Sequence, residues 1–319
     1  MTAPEVPPSA ERDWGSAYHT PVLAQEVLSF LRGARRVLDG TLGGGGHTLA
    51  LLEHGAMVTA LDRDPQAIAE ARARLGAYRA TGCFRAVFGN FADIEQIPTI
   101  AASRFDGILL DLGVSSHQID DPTRGFSFRE GAPLDMRMNP ERGITGAELL
   151  NGAPEHDLIR IFREYADEPR ASRLAREIGR RRVSTPFSTS DDFVKAIRGA
   201  LGARSGPSDF ARLFQAVRIE VNDELASLDR ALPVLRERLE PLGVLVVIAY
   251  HSGEDRAVKH AFRDWSASCV CPPRQPQCSC RGQPLGETLT RRSVTASDHE
   301  SASNPRARSA RLRAWRRAA

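Results

Sequence analysis

Asp39-Gly40-Thr41-Leu42-Gly43-Gly44-Gly45-Gly46-His47 is the stretch on which the fold turns. It follows the apolar pair Val37-Leu38 and precedes Leu49 and Leu52 at helical spacing, so a strand, a glycine loop and a helix come in that order. Glycines in such a loop let the backbone approach a ligand that any Cβ would hold off. The dinucleotide fingerprint G-x-G-x-x-G is absent in every frame, because His47, Thr48 and Leu49 follow Gly46. An acid directly before the loop, Asp39, suits a cationic or amine-bearing ligand better than a pyrophosphate.

Outward from the loop the same rhythm repeats. A strand from Met57 to Leu61 ends at Asp62, and Pro65 opens a helix whose stripe is Ala67, Ile68, Ala71 and Leu75. Cys83 to Phe88 reads as the next strand. Phe105-Asp106-Gly107-Ile108-Leu109-Leu110-Asp111 is a continuous apolar run, as expected of a parallel strand covered on both faces. Strands alternating with helices predict an α/β fold with a parallel, Rossmann-like sheet. Between 122 and 217 no strand is evident, only helical stripes such as Leu158, Ile159, Phe162, Tyr165 and Leu174, Ala175, Ile178. A helix from about Asn222 to Leu239 and a strand from Val244 to Tyr250 then resume the pattern. The expected organisation is a leader at 1–16, proline-rich and disordered, a discontinuous α/β domain at 17–121 and 218–319, and a helical insertion at 122–217.

Composition excludes several classes. The chain has 319 residues, 41% hydrophobic and 26% charged, enough for a sizeable core. Its longest apolar run, Val244 to Tyr250, is far short of the ~20 residues that cross a bilayer, and the N-terminus has no basic and apolar signal. No membrane association and a cytoplasmic location are expected. The net charge is +3, but Arg306, Arg308, Arg311, Arg313, Arg316 and Arg317 crowd the end of the chain, which reads as a basic tail, either solvated or bound to a polyanion. Of five cysteines, four lie between Cys269 and Cys280 as C-x-C, six residues, C-x-C. Four thiolates could close a zinc site, yet C-x-C is a less common zinc spacing than C-x-x-C, and unligated thiols fit equally well; no metal is assigned.

Asp62 ends its strand where a carboxylate can accept both hydroxyls of a ribose, leaving Asp64 to cap the following helix. The loop, Asp39 and Asp62 together fit the amino-acid and adenosyl ends of S-adenosylmethionine. Phe91, after the third strand, is placed for an adenine ring or for the core. Asp111 to Ser116 ends the fourth strand, from which methyltransferases of this architecture address the group being methylated. The D-P-P-Y run of many amino-directed enzymes is present only as its Asp, so Phe126 and Phe128 are the candidates to stack on a base. No cysteine lies between Cys83 and Cys269, which favours direct displacement over a thiolate adduct. Asp111, Ser115 or a backbone carbonyl of their loop could accept the amine proton. A nicotinamide oxidoreductase and a non-catalytic RNA-binding factor are the competing readings; the missing fingerprint counts against the first.

Asp39 to His47, Asp62 to Ile68, Asp106 to Ser116, Arg124 to Phe128, Pro133 to Met138, Phe214 to Ile219 and Asn304 to Ser309 resemble, in order, the bacterial small-subunit ribosomal RNA cytosine-N4 methyltransferases. The resemblance implies an S-adenosylmethionine-dependent enzyme of 16S ribosomal RNA in the small ribosomal subunit, acting on a cytidine of the decoding region, with no DNA partner. By matching motifs it implies Gly45, Gly46, His47, Asp62, Phe91, Asp111 and Gln118 as cofactor-binding positions. The chain departs from the family where Ala249-Tyr250-His251-Ser252-Gly253-Glu254-Asp255-Arg256 replaces a Ser-Phe-His-Ser-Leu-Glu-Asp-Arg type of run, and at Ser208 to Arg212. The insertion leaves the sheet just after Asp111, so its Arg160, Arg163, Arg170, Arg173, Arg176, Arg180, Arg181 and Arg182, with the C-terminal arginines, are expected to hold phosphates.

Overall fold

The computed structural model describes residues 14–15, 20–272, 275, 277 and 279–319. Seven strands, β1 (Arg36–Asp39), β2 (Met57–Asp62), β3 (Phe84–Phe88), β4 (Phe105–Asp111), β5 (Leu239–Ala249), β6 (Gly286–Thr288) and β7 (Arg311–Arg317), make one sheet in the order β3-β2-β1-β4-β5-β7-β6. β1 to β5 are parallel; β7 runs antiparallel to both β5 and β6.

Side-chain alternation explains the apolar runs. Leu109, Val246, Ile248, Leu312 and Ala314 face one core, where helix Gly46–Glu53 adds Leu51 and Leu52. Ile108, Leu110, Leu245, Val247 and Trp315 face the other, where helix Glu224–Glu237 adds Leu228, Leu232 and Leu235. Both faces being covered, no strand position of β4 or β5 near the centre is free to be polar.

Among the described residues no strand lies between β4 and β5. Helices Gly146–Gly152, Glu155–Ala166, Ala171–Ser184, Ser190–Leu201 and Pro207–Val221 bury a third cluster of their own, including Leu158, Phe162, Leu174, Ile178, Phe193 and Phe214. Asn222 ties this part to the sheet. Its Nδ2 donates to the Met136 carbonyl at 2.7 Å, its Oδ1 accepts the Met138 N–H at 2.7 Å, and its carbonyl accepts Arg63 Nη1 at 2.9 Å.

Two expectations need correction. The C-terminal arginines are not a tail. Leu312 and Ala314 alternate with Arg311 and Arg313 to form β7, and Arg313, 8% exposed, holds Asp255 through Nε at 2.7 Å and Nη2 at 3.1 Å. Arg317 Nη1 donates to the carbonyls of Arg236, Glu237 and Leu239. Within the expected leader Trp14 is held by the fold: it is 6% exposed, its Nε1 donates to Glu53 Oε2 at 2.9 Å, and Arg74 Nη2 donates to the carbonyls of Trp14 and Gly15. A large indole with a bonded N–H has reason to be buried whatever its flanking composition. The expected boundary between leader and α/β domain at 16–17 and the fourth clustered cysteine, Cys278, lie outside the described residues.

Candidate active site

Parallel strands bring Asp39, Asp62 and Asp111 to one edge of the sheet, and the strand order reverses at β1, where open α/β sheets bind ligands. The glycine loop spans the two neighbours of β1: Gly40 N–H donates to the Leu109 carbonyl at 2.9 Å and Leu42 N–H to the Leu61 carbonyl at 2.7 Å. Below it opens a cleft enclosing about 960 Å³, part of it open to solvent, with Gly43, His47, Asp62, Phe91, Asp111, Ser115, Gln118 and Tyr250 in its walls.

Asp62 accepts the Gly43 N–H on Oδ2 and the Asp64 N–H on Oδ1, both at 2.8 Å. Each oxygen keeps a lone pair for a ribose hydroxyl. Burial outweighs those two bonds and pushes the carboxyl up to about 6. Gly43, at φ +49°, has no protein atom within 4 Å of where a Cβ would stand, so it leaves open space in the cleft wall. Asp64 caps helix Pro65–Arg74 through the Gln66 N–H at 2.9 Å.

Asp39 plays another part than the one read from its position. It is 1% exposed, and its oxygens take the Thr48 hydroxyl at 2.6 Å and the Thr41 N–H at 3.1 Å. Burial raises its carboxyl above the ordinary range. It shapes the loop from beneath and does not line the cleft. Gly45 is also outside the lining: at φ +74° it precedes helix Gly46–Glu53, and a Cβ would stand 3.1 Å from Leu75 Cδ1. Gly46 lines the cleft, with its back so close to Pro21 that a Cβ would meet that ring at 2.9 Å.

Around Asp111 three side chains converge. Tyr250 Oη donates to Oδ1 at 2.8 Å, and His47 Nδ1 lies 3.5 Å from Oδ2. His47 Nε2 sits 2.9 Å from the Val22 carbonyl, which can only accept, so that nitrogen carries a proton. Burial and the Asp111 charge hold the Tyr250 phenol well above its ordinary value, so it remains a donor. Thr41 Oγ1 accepts the Asp111 N–H at 2.6 Å. Ser115 and Gln118 are largely occupied. The Ser115 oxygen caps helix Ser116–Asp120 through the Gln118 N–H, and Gln118 returns its Oε1 to the Ser115 N–H at 2.9 Å while Nε2 donates to Asp64 at 2.8 Å. Arg124, 7% exposed, closes this knot on Asp64 at 2.9 Å.

A second cavity of about 1120 Å³, partly open, adjoins the cleft; Gly113, Val114 and Tyr250 line both. Its walls hold Phe126, Phe128, Phe214, Gln215 and Arg306. Phe128 stands edge-on to Phe210 and Phe214, with centroids at 5.9 and 6.1 Å. Sequence reasoning missed Tyr250 as a functional residue, although it stands in the quoted run that departs from the family. Of the arginines expected to hold phosphates, Arg160 pairs with Glu220, Arg170 with Glu168 and the Leu201 carbonyl, Arg180 and Arg181 with Glu177, and Arg182 donates to the carbonyls of Leu150 and Ala153. Arg163, Arg173 and Arg176 are exposed and, among the described residues, unpartnered.

A sheet in this order with an antiparallel β7, and a carboxyl-edge cleft bounded by a glycine loop and a ribose-competent carboxylate, define the Rossmann-like class of S-adenosylmethionine-dependent methyltransferases. The model of the MraW methylase family matches residues 16–318. Over 301 residues the chain is 64% identical to a ribosomal RNA small subunit methyltransferase H of Gemmatimonas aurantiaca, covering 94% of this chain and 96% of that one. It is 44% identical over 309 residues to the protein of the same name from Heliobacterium modesticaldum, covering 93% and 97%. A third, from Pelobacter propionicus, is 46% identical over 308 residues, covering 93% and 97%. The chain belongs to the MraW methylase family.

Proposed function

We propose that this chain methylates the exocyclic N4 of a cytidine in the decoding region of 16S ribosomal RNA, in the cytoplasm, on the small ribosomal subunit or on RNA entering it, with S-adenosylmethionine as donor. Among the described residues no helix is long and apolar enough to cross a membrane.

The residues present fit the donor. The two free lone-pair directions of Asp62 suit a ribose diol, Phe91 offers a flat wall to the adenine, and Gly43 leaves room beside the loop. Bound there, S-adenosylmethionine would supply an electrophilic sulfonium methyl with a neutral thioether as leaving group, and the nitrogen that takes the methyl would have to shed a proton.

What the chain contributes is alignment and a proton acceptor. Asp111 and Tyr250 carry the assignment: the carboxylate sits in the donor cleft, and the tyrosine that holds its Oδ1 lines the adjoining aromatic cavity as well. A base entering that cavity meets Phe126, Phe128 and Phe214, whose rings can cover its faces. Gln215 has no side-chain partner among the described residues, and its amide can donate to cytosine O2 or N3. Asp111 then stands where an amine proton can be accepted. Ser115, whose oxygen already accepts one N–H, keeps its hydroxyl proton and is the weaker candidate. Among the described residues no cysteine lines either cavity, in keeping with transfer that forms no thiolate adduct.

The test uses small subunits from cells lacking this activity, the purified chain and S-adenosylmethionine, followed by nucleoside mass spectrometry. N4-methylcytidine is expected. Methylation at C5, or a denaturation-stable adduct with 5-fluorocytidine RNA, would overturn the proposal.

A further inference from the structure

The strap between helix Ser252–Ser266 and β6 has no visible reason to hold its shape. Among its described residues there is no helix or strand; Val270 is 46% exposed, and only at its far end does Leu285 pack against the sheet core. Its ends are nonetheless pinned together, Leu285 N–H donating to the Trp265 carbonyl at 2.8 Å. Segments of this length without a core need another source of order.

The cysteines supply it. The Sγ atoms of Cys269, Cys271 and Cys280 lie within 4.8 Å of one another, and Cys280 and Cys269 are 3.8 Å apart without a disulfide. Sulfurs at the corners of a tetrahedron with metal bonds of about 2.3 Å stand about 3.8 Å apart. In an extended chain residues i and i+2 point the same way, so C-x-C can present two thiolates to one ion. Backbone donors already face the sulfurs. Val270 N–H reaches Cys280 Sγ at 3.4 Å, and the backbone N–H groups of Ser279 and Cys280 face Cys271. Such donors stabilise thiolate, the form that binds metal. Beside the cluster Arg281 grips the Asp264 and Ala267 carbonyls, fixing the strap to the helix end and placing a positive charge near a site that would carry a net negative one.

We infer that Cys269, Cys271 and Cys280 bind one zinc(II) ion and that this ion staples the strap. A thiolate set selects zinc over magnesium or calcium, and none of these three cysteines lines either cavity. The site is structural.

The full chain, purified with thiols reduced and no chelator, should contain about one zinc per molecule by elemental mass spectrometry. Exchange into cobalt(II) should give the thiolate charge-transfer and intense visible bands of a tetrahedral sulfur site. Cys269→Ser with Cys280→Ser should lower the zinc content by roughly tenfold or more. If that variant does not fold, Cys271→Ser alone should shift the cobalt bands of a chain that still binds S-adenosylmethionine. Wild-type protein without zinc and without cobalt–thiolate bands would overturn the inference. So would stoichiometric iron, or a disulfide recovered from reduced cells.

Discussion

Lowering the pH from neutral to about 5 should weaken S-adenosylmethionine binding roughly tenfold, through Asp62. Burial lifts this carboxyl from 3.8 to about 6 against the pull of the Asp64 and Gly43 N–H groups. Ribose hydroxyls donate, so the ionised carboxylate is the form that binds. Affinity then falls with the ionised fraction, by a factor of about two at pH 6 and about eleven at pH 5. The sign for stability is opposite. Between about 3.8 and about 6 the folded, ligand-free chain keeps a proton that the unfolded chain has released, so Asp62 subtracts stability as pH rises through that window. A bound ribose offsets the loss. Calorimetry across this range, on the wild type and on Asp62→Asn, isolates the residue, because other titrating groups contribute to both profiles. The variant should bind about 1.5–3 kcal/mol more weakly at neutral pH, roughly 10- to 150-fold, and lose most of the pH slope. A flat wild-type profile, or a variant that keeps the slope, would refute the assignment of Asp62 to the ribose.

Tyr250→Phe keeps the ring between the two cavities and removes the bond to Asp111, so methyl transfer should slow by about two- to tenfold with an unchanged melting temperature; wild-type turnover would show that the hydroxyl does not position the carboxylate. Arg124→Met leaves Asp64, 0% exposed, without its cation and should cost about 3–5 kcal/mol in chemical denaturation, whereas a loss under 1 kcal/mol would mean the Gln118 and backbone bonds suffice. Gly46→Ala forces a methyl against the Pro21 ring and should destabilise the chain by about 1–3 kcal/mol, read by thermal unfolding; full stability would show that residues 20–22 yield freely. Reversing Arg163, Arg173 and Arg176 to Glu should flatten the salt dependence of RNA binding by a slope of about two, at roughly 0.7 per phosphate contact, and leave S-adenosylmethionine affinity alone; an unaltered slope would remove them as phosphate contacts.

The strands and the cleft were legible because their signals are local. A run such as Phe105 to Asp111 can only be a strand buried on both faces, and parallel strands carry Asp62 and Asp111 to one edge by symmetry. What could not be read is which lone pairs are already used. Asp39 and Asp62 look alike in sequence, yet a threonine hydroxyl one turn into the helix consumes the first, while only backbone N–H groups meet the second. Tyr250 was hidden for another reason: its partner Asp111 is distant in the chain, and nothing near either residue announces the pair. Arginine content misled about the C-terminus, since charge there outweighed the weak alternation of Leu312 and Ala314. The same bias inflated the phosphate-binding set, most of whose members answer a carboxylate or a carbonyl inside the protein.

The pairing of β4 with β5 bears on how the molecule comes into being. Leu109 pairs with Val246, and Val246 with Ala314, so the centre of the sheet closes only after long stretches of chain have found each other, whereas the cluster running from Leu134 to Val217 is built from neighbouring helices. Contacts between near neighbours form fast and distant strand pairings form slowly. The helical segment thus matures while the sheet around it is still open. The Asp111–Tyr250 bond spans the longest of these closures, so the edge that carries it is expected among the last features of the fold to form.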